Sequence, residues 1–328
     1  MNVLPFEKQC RVIAAITEGC SLRSTSRLVD VDKNTTISLQ LKVGEACARL
    51  HDSIMRDLNV SLLELDEAWS FIGKKQKRVE HGDPAEMGDA YVWIGMDATN
   101  KAIISYVVGK RTADNANELA ADLRARILNR PQITTDGLTA YIDAIDRAFG
   151  IDVDYAMLQK QYAAVAGNDA AHRYSPGAII GVEKQVITGN PKRSKISTSF
   201  VERQNLTLRM GIRRMTRLTN AYSKRLRNHE AAIALHIAHY NLCRVHETLR
   251  VTPAMALGVT DHVWTIGELI RKAMDAPSVP PAPIAPVRPP PLPRDAQTGL
   301  LVGRKPFTLR IIPGGKIGSK RPARRSNH

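Results

Sequence analysis

The chain has 328 residues, 43% of them apolar, which is enough for about two domains with an ordinary core. Its net charge of +15 and pI near 9.8 favour partners that carry phosphate or another anionic surface. No apolar run approaches the roughly 18 residues of a membrane span, and the opening MNVLPFEKQC lacks the apolar stretch of a signal peptide. The four cysteines form no C-x-x-C pair, which argues against a zinc site or a disulfide framework.

Residues 1–55 have the pattern of a helix-turn-helix DNA-binding domain. Val12, Ile13 and Ile16 follow helical spacing, and Glu18-Gly19 ends that helix. A short second helix and a turn then lead to a third helix, which Asp32 can cap. In such a module the start of the third helix reads base edges, which here exposes Lys33, Asn34, Thr35 and Thr36. The alternative is a plain three-helix bundle without a DNA role.

Residues 56–275 change to a pattern of strands and helices. Three strands come first, in SLLELDEAWSF, YVWIGMDA and AIISYVVG, and then a helix in TADNANELAADLRARIL. A short strand in PQITTDG and a helix in LTAYIDAIDRAFG follow, with a fifth strand expected near 153–157. One long helical region is expected from 200 to about 244. This order predicts an α/β, RNase H-like core with a mixed five-stranded sheet and helices.

Residues 276–328 form a proline-rich, basic tail that we expect to be disordered. The run PSVPPAPIAPVRPPPLP suits neither helix nor sheet. From residue 277 onward there are ten Lys and Arg residues against one Asp, so the tail carries most of the net charge. It can bind phosphates without sequence preference, or it can be a solvated extension.

Three carboxylates are candidates for a metal site: Asp66, Asp136 and Glu202, which lie 70 and 66 residues apart. They fall on the first strand, at the end of the fourth strand and on the following helix. Two Mg²⁺ ions about 3.5–4 Å apart assist phosphodiester cleavage, and carboxylate oxygens are the ligands that such ions prefer. Each acid also has a structural alternative. Asp136-Gly137 is a common turn, Ser199-x-x-Glu202 fits a capping box, and Asp66-Glu67 can end a strand in solvent.

The helix that carries Glu202 also has a basic face. Glu202, Asn205, Arg209 and Arg213 follow one another at i, i+3, i+7 and i+11, and Arg214 extends the surface. Guanidinium groups suit phosphate recognition, so this face can hold DNA across the metal site. The alternative is a solvated basic face.

Several separate motifs resemble one family of mobile-element enzymes. LDEAWSFIGKK, TTDGLTAY, STSFVERQNLTLRMGIRRMTRLTNAYSK and YNLCRVHETLRVTPAMALG resemble insertion-sequence DDE transposases of the IS-one type, over roughly residues 5–270. The resemblance implies that Asp66, Asp136 and Glu202 bind two Mg²⁺ or Mn²⁺ ions and catalyse the reaction. It also implies that Arg209 contacts transposon-end DNA and that Asn205 and His246 are secondary site residues, although His246 can equally be structural. Unlike some relatives, the chain has no cysteine zinc motif before the helix-turn-helix.

The expected function is therefore a DNA transposase that binds terminal inverted repeats, cleaves the strand and transfers the 3′-hydroxyl to target DNA. Its expected partners are transposon-end and target DNA and further copies of itself, in a homodimer or larger synaptic complex. Its expected location is the bacterial cytoplasm, with the nucleoid. Two alternatives are an RNase H-like nuclease without strand transfer and a noncatalytic helix-turn-helix regulator.

Overall fold

The computed structural model describes residues 3–163, 178–216 and 219–277. Most of the proline-rich tail, from residue 278 onward, lies outside the described residues, so its expected disorder stays a prediction. No helix within the described ranges combines the length and apolarity that crossing a membrane requires.

The N-terminal region consists of three helices in the predicted order: α1 Phe6–Thr17, α2 Leu22–Val29 and α3 Lys33–Ile54. Gly19, with φ of +84°, turns the chain after α1, because a residue without a Cβ adopts this conformation at little cost. Ser21 caps α2 by accepting a hydrogen bond from the Ser24 N–H over 3.0 Å. The predicted cap of α3 is confirmed, since Asp32 Oδ1 accepts from the Asn34 N–H over 2.8 Å.

The described residues form six strands in one mixed sheet, in the order β3-β2-β1-β4-β5-β6. The strands are β1 Leu62–Ile72, β2 Gly88–Asp97, β3 Ile103–Gly109, β4 Gln132–Thr135, β5 Asp154–Tyr162 and β6 Ile179–Thr188. β1, β2 and β3 form an antiparallel meander, whereas β4 runs parallel to both β1 and β5. This arrangement confirms the predicted RNase H-like core.

The sixth strand was not predicted from the sequence. β6 pairs antiparallel with β5 at the edge of the sheet, and most of its residues are exposed. Because neither face of β6 is buried, its sequence IIGVEKQVIT has no regular alternation of buried and exposed positions. The strand is therefore specified by pairing with β5 rather than by a local pattern.

The predicted long helix over 200–244 is wrong, because the chain forms two helices there. α6 is Ser199–Gly211 and α7 is Leu226–Leu242, with a 3-10 turn at Arg213–Met215 among the described residues between them. Ser223, in the connecting segment, makes a parallel bridge to Ile72 at the end of β1. Its hydroxyl also lies 2.7 Å from Nδ1 of the buried His229. These tertiary contacts hold Ser223 between the end of β1 and the first turns of α7.

Helices cover both faces of the sheet. α4 Ala113–Arg126 and α5 Ala140–Phe149 pack on one face, with the inward side chains Leu63 and Leu65 of β1. α6 and α7 pack on the other face, around Ala68 and Ile94.

α7 connects this core to the N-terminal helices. Leu235, Ala238 and Leu242 face a second core, shared with α1, α3 and α9 Ile266–Asp275, while α8 Pro253–Ala256 lies nearby. α7 is thus apolar on almost all sides, as expected for a buried helix. Gly44 permits the close approach of α3, because a Cβ there would lie 2.1 Å from the Ala231 carbonyl oxygen.

Candidate active site

The register of β1 and β4 brings two of the predicted acids together. Leu65 pairs with Thr135 in the parallel ladder. Asp66 and Asp136 are the residues that follow these two, so they lie side by side at the end of this ladder. Asp136 directly follows the last residue of β4, whereas Asp66 lies within β1, which continues beside β2 to Ile72. Oxygens of Asp66, Glu67 and Asp136 all lie within 4.8 Å of one another, in an arrangement that suits a metal ion.

Asp66 is partly buried in this cluster. Burial, and after it the neighbouring Asp136, Glu67 and Glu202 carboxylates, raise the pKa of Asp66 to about 7. Its Oδ2 accepts a hydrogen bond from Asn205 Nδ2 over 2.8 Å. Asn205 therefore orients this acid from α6, one helical turn beyond Glu202.

Asp136 both turns the chain and contributes to the cluster. Its Oδ1 accepts a hydrogen bond from the Leu138 N–H over 3.0 Å, which stabilises the turn between β4 and α5. Its Oδ2 lies 3.6 Å from a guanidinium nitrogen of Arg111. The two alternatives for Asp136, a turn residue and a site residue, are thus compatible in one side chain.

Glu202 lies on the first turn of α6, close enough to Asp66 to influence its pKa, but outside the 4.8 Å group. Its carboxylate pairs with the Lys160 ammonium from β5, over 2.6 Å to Oε2. The Thr198 hydroxyl donates to its Oε1 over 2.7 Å. The side chain of Glu202 is 43% exposed.

A buried acid on β1 positions the start of α6. Glu64 Oε2 accepts hydrogen bonds from the N–H groups of Phe200, over 2.8 Å, and Val201, over 3.0 Å. These are free donors in the first turn of a helix, so Glu64 acts as a cap supplied from another element. The capping box from Ser199 to Glu202 is not formed, and no side-chain cap comes from Thr198. Glu64 was not identified from the sequence because its partner lies 136 residues away.

Glu67 and Arg111 are further residues of the site that the sequence patterns did not indicate. The interpretation of Asp66-Glu67 as a solvated strand end is wrong, because the Glu67 side chain is only 2% exposed. Its Oε2 accepts from Arg111 Nε over 3.1 Å, whereas its Oε1 has no hydrogen-bond partner among the described residues. Burial raises the pKa of Glu67, and this effect is larger than that of the nearby Tyr141 hydroxyl, which lowers the pKa. The one indication of Glu67 in the sequence was its position next to Asp66.

The predicted basic face of α6 is only partly continuous. Arg209 Nη1 donates to the Trp69 carbonyl on β1 over 3.1 Å. Arg213 is exposed but lies beyond the helix end at Gly211, so it does not continue the row. Arg214 turns inward, donating to the Asn228 carbonyl over 2.6 Å and to Gln40 of α3 over 2.8 Å. Burial lowers the pKa of Arg214 to about 10.

The predicted base-contacting residues divide into exposed and buried members. Lys33, Asn34 and Thr35 are exposed at the start of α3, whereas Thr36 is buried and its hydroxyl donates to the Asp32 carbonyl. The exposed start of α3 forms one side of an open cleft. The other side is the segment between α6 and α7. The basic residues along this cleft are Arg23, Lys33, Arg213, Arg214, Lys224 and Arg225.

His246 lies in the turn after α7 and is half-buried. Its Nδ1 lies 3.1 Å from the Thr248 hydroxyl, and its backbone N–H donates to the Val251 carbonyl over 2.9 Å. Burial, and then the positive charges of Lys101 and Arg244, lower the pKa of His246. These contacts fit its structural alternative, and the structure does not bring it into the acidic group.

The donor set of the cluster fits a divalent cation. It consists of carboxylate oxygens, which hard ions such as Mg²⁺ and Mn²⁺ prefer. Three acids within 4.8 Å repel one another, and the raised pKa of Asp66 is partly a consequence of that repulsion. A cation relieves the repulsion, as Arg111 already does for Glu67 and Asp136.

Comparison with known proteins gives one curated relative. The insertion element iso-IS1n protein InsB of Shigella dysenteriae is 26% identical over 176 residues, which are 54% of this chain and 93% of that protein. No family model matches the chain.

Two solved transposase structures also align with the chain. The piggyBac transposase synaptic complex with hairpin DNA aligns with 81% of this chain at 12% identity and a TM-score of 0.32. The Mos1 transposase paired-end complex with left transposon end aligns with 47% of it, at 14% identity and a TM-score of 0.19. This chain spans 58% and 60% of the lengths of those two proteins. The match to InsB confirms the resemblance to insertion-sequence proteins of the IS-one type that the sequence motifs indicate.

Proposed function

We propose that this protein is a DNA transposase that binds the terminal inverted repeats of its element, cleaves the strand there and transfers the 3′-hydroxyl into target DNA. The observation that carries the proposal is the side-by-side placement of Asp66, within β1, and Asp136, directly after β4, at the end of the parallel ladder between these strands. Glu202, on the first turn of α6, is close enough to raise the pKa of Asp66. The relationship to an insertion-element protein supports the same function.

In the proposed site, Asp66, Asp136 and Glu202 hold two Mg²⁺ or Mn²⁺ ions. Such an ion pair activates the attacking hydroxyl and stabilises charge on the leaving oxygen. The chain itself supplies orientation, because Asn205 fixes Asp66 and Glu64 fixes the first turn of α6. No covalent enzyme–DNA intermediate is required, so the reaction needs no nucleophilic Ser or Tyr.

The proposed DNA path follows the basic cleft between the N-terminal helices and the segment after α6. Lys33 and Asn34 line this cleft, and Thr35 is exposed next to them in the chain, at the position from which a helix-turn-helix contacts base edges. Arg213 and its basic neighbours bind phosphates on the opposite side. Arg214 joins the two sides through Gln40 rather than facing solvent. Arg209, which donates to the Trp69 carbonyl on β1, lies on α6 between Glu202 and the end of the helix.

The proposed organisation has a helix-turn-helix domain over 1–55, a catalytic domain over 56–275 and a basic tail over 276–328. The two larger parts share a hydrophobic core through α7, which supports a fixed relation between end binding and cleavage. Transposition joins two DNA ends, so we further propose a dimer or larger synaptic complex, acting on the nucleoid of a bacterial cytoplasm.

A strand-transfer assay tests this function. Purified protein, labelled oligonucleotides carrying the element's ends, a target plasmid and Mg²⁺ should yield joined product. Asp136→Asn and Glu202→Gln should each reduce cleavage and joining by at least a hundredfold while end binding persists. Cleavage without joined product would favour a nuclease, and unimpaired function of both variants would favour a noncatalytic regulator.

A further inference from the structure

We propose that Glu67 is a fourth carboxylate of the cation site and that Arg111 is a built-in counter-cation, which shares Glu67 and Asp136 with the metal. This inference rests on the proposed function, since it concerns the same metal site. It assigns roles to Glu67 and Arg111, which are not among the three acids Asp66, Asp136 and Glu202.

The burial of Glu67 is the first argument. Its side chain is 2% exposed and directed into the group with Asp66 and Asp136. A buried carboxylate without compensating partners is strongly destabilising, so such groups are normally paired or bound to a metal. Glu67 Oε1 has no hydrogen-bond partner among the described residues, although it lies in this acidic group. The buried hydroxyl of neighbouring Tyr141 also makes no hydrogen bond with the described residues. The site therefore contains a buried oxygen with capacity for a ligand.

The charge balance is the second argument. Arg111 is the only cation that forms ion pairs with the three clustered acids among the contacts of the described residues. One guanidinium does not balance three carboxylates, and it contacts Asp136 only at 3.6 Å. A divalent cation would complete the neutralisation.

The position of Arg111 is the third argument. It lies in the short connection between β3 and α4, and its side chain is 43% exposed. It can therefore swing toward solvent or a DNA phosphate without leaving a cavity in the core. Glu67, in contrast, is held on β1 by pairing with Trp93 of β2. The backbone of Glu67 is thus held in the sheet, whereas Arg111 lies in a connection outside it.

A purely structural role for the Glu67–Arg111 pair makes a different prediction. In that case the pair only attaches the β3–α4 connection to β1, and neutralising Glu67 would lower stability without changing metal affinity. Metal binding, measured apart from activity, therefore separates the two roles.

The experiment is Mn²⁺ binding to the purified full chain, followed by electron paramagnetic resonance of the free ion. Glu67→Gln should weaken Mn²⁺ binding by about tenfold or more, whereas Arg111→Gln should strengthen it several-fold because a competing cation is removed. Glu118→Gln, which removes an exposed acid on α4, is the charge-matched control and should bind Mn²⁺ like the wild type. Thermal unfolding in EDTA verifies that each variant is folded.

Unchanged Mn²⁺ affinity in a folded Glu67→Gln variant, together with its loss in Asp136→Asn, would overturn the role of Glu67 and leave the proposed function standing. Weaker Mn²⁺ binding in Arg111→Gln would overturn the role of Arg111 as a competitor. Failure of the proposed function has a separate signature, which is the absence of end cleavage and joining by the wild type. A lower Tm of Glu67→Gln with wild-type Mn²⁺ affinity would identify the pair as structural.

Discussion

Glu64, on the first strand of the sheet, accepts a hydrogen bond over 3.0 Å from the backbone N–H of Val201, at the start of α6. The same carboxylate oxygen accepts from Phe200. Through these bonds β1 positions α6, and α6 in turn positions Glu202 and Asn205 beside Asp66. One buried acid thereby connects sheet, helix and candidate site.

Glu64→Ala should destabilise the protein by several kcal/mol, because each buried N–H left without a partner costs about 1–3 kcal/mol. Glu64→Gln should lower the free energy of unfolding much less, because the glutamine amide oxygen can still accept the hydrogen bonds from Phe200 and Val201. Burial raises the pKa of Glu64, which reduces the advantage of a charged acceptor over a neutral one. Urea unfolding of both variants measures the difference. Equal stability of the alanine and glutamine variants would contradict the capping role.

Asp66 should make the stability of the metal-free protein depend on pH. Its pKa is raised to about 7 in the folded state, above its ordinary value of 3.8. The protonated form is therefore favoured by folding, and its stabilising contribution is complete below about pH 4 and lost as the pH rises through 7. The loss is on the order of a few kcal/mol. Urea unfolding in EDTA at several pH values should show this slope in the wild type.

The control for this pH dependence is Asp66→Asn, which removes the titrating group and should flatten the slope between about pH 4 and 7. At about pH 8 the variant should be more stable than the metal-free wild type, although we expect it to be inactive. Parallel slopes in the two proteins would contradict the assignment. In the wild type, Mn²⁺ binding should weaken below about pH 7, because protons then compete for Asp66.

The basic cleft should determine the salt dependence of DNA binding. Arg213→Ala and Lys224→Ala each remove one exposed charge from its wall. Each should weaken end binding several-fold and lower the slope of log affinity against log salt by about 1, if each residue neutralises one phosphate. Lys272→Ala, on α9 outside the cleft, is the matched control. Fluorescence anisotropy over a salt series measures the slopes, and slopes equal to that of the control would exclude the cleft as the DNA path.

Gly44 should be intolerant of a side chain. A Cβ at this position would lie 2.1 Å from the Ala231 carbonyl oxygen, so α3 and α7 would have to separate. Overpacking of this kind costs about 1–3 kcal/mol, which exceeds the gain of about 1 kcal/mol in helix propensity. Gly44→Ala should thus lower the free energy of unfolding. Gly267→Ala on α9, whose nearest contact would be 3.4 Å, should be neutral or stabilising.

Local signals accounted for much of the fold. The cap at Asp32, the alternation along β1 and the order of strands and helices up to α5 depend on neighbouring residues, so they could be predicted. The helix break after Gly211 and the edge strand β6 could not, because the first depends on contacts with Ile72 and His229 and the second on pairing with β5.

The candidate site divides in the same way. Asp66, Asp136 and Glu202 could be selected from the chain alone, because acids on the first strand, at the end of the fourth strand and on the following helix, each within a recognisable motif, rarely occur together by chance. Their actual partners depended on contacts between residues distant in sequence. The parallel register of β1 and β4 brought Asp136 to Asp66, and burial converted Glu67 from an expected solvated acid into a member of the cluster. Register and burial are properties of the packed sheet, so no local sequence pattern contains them.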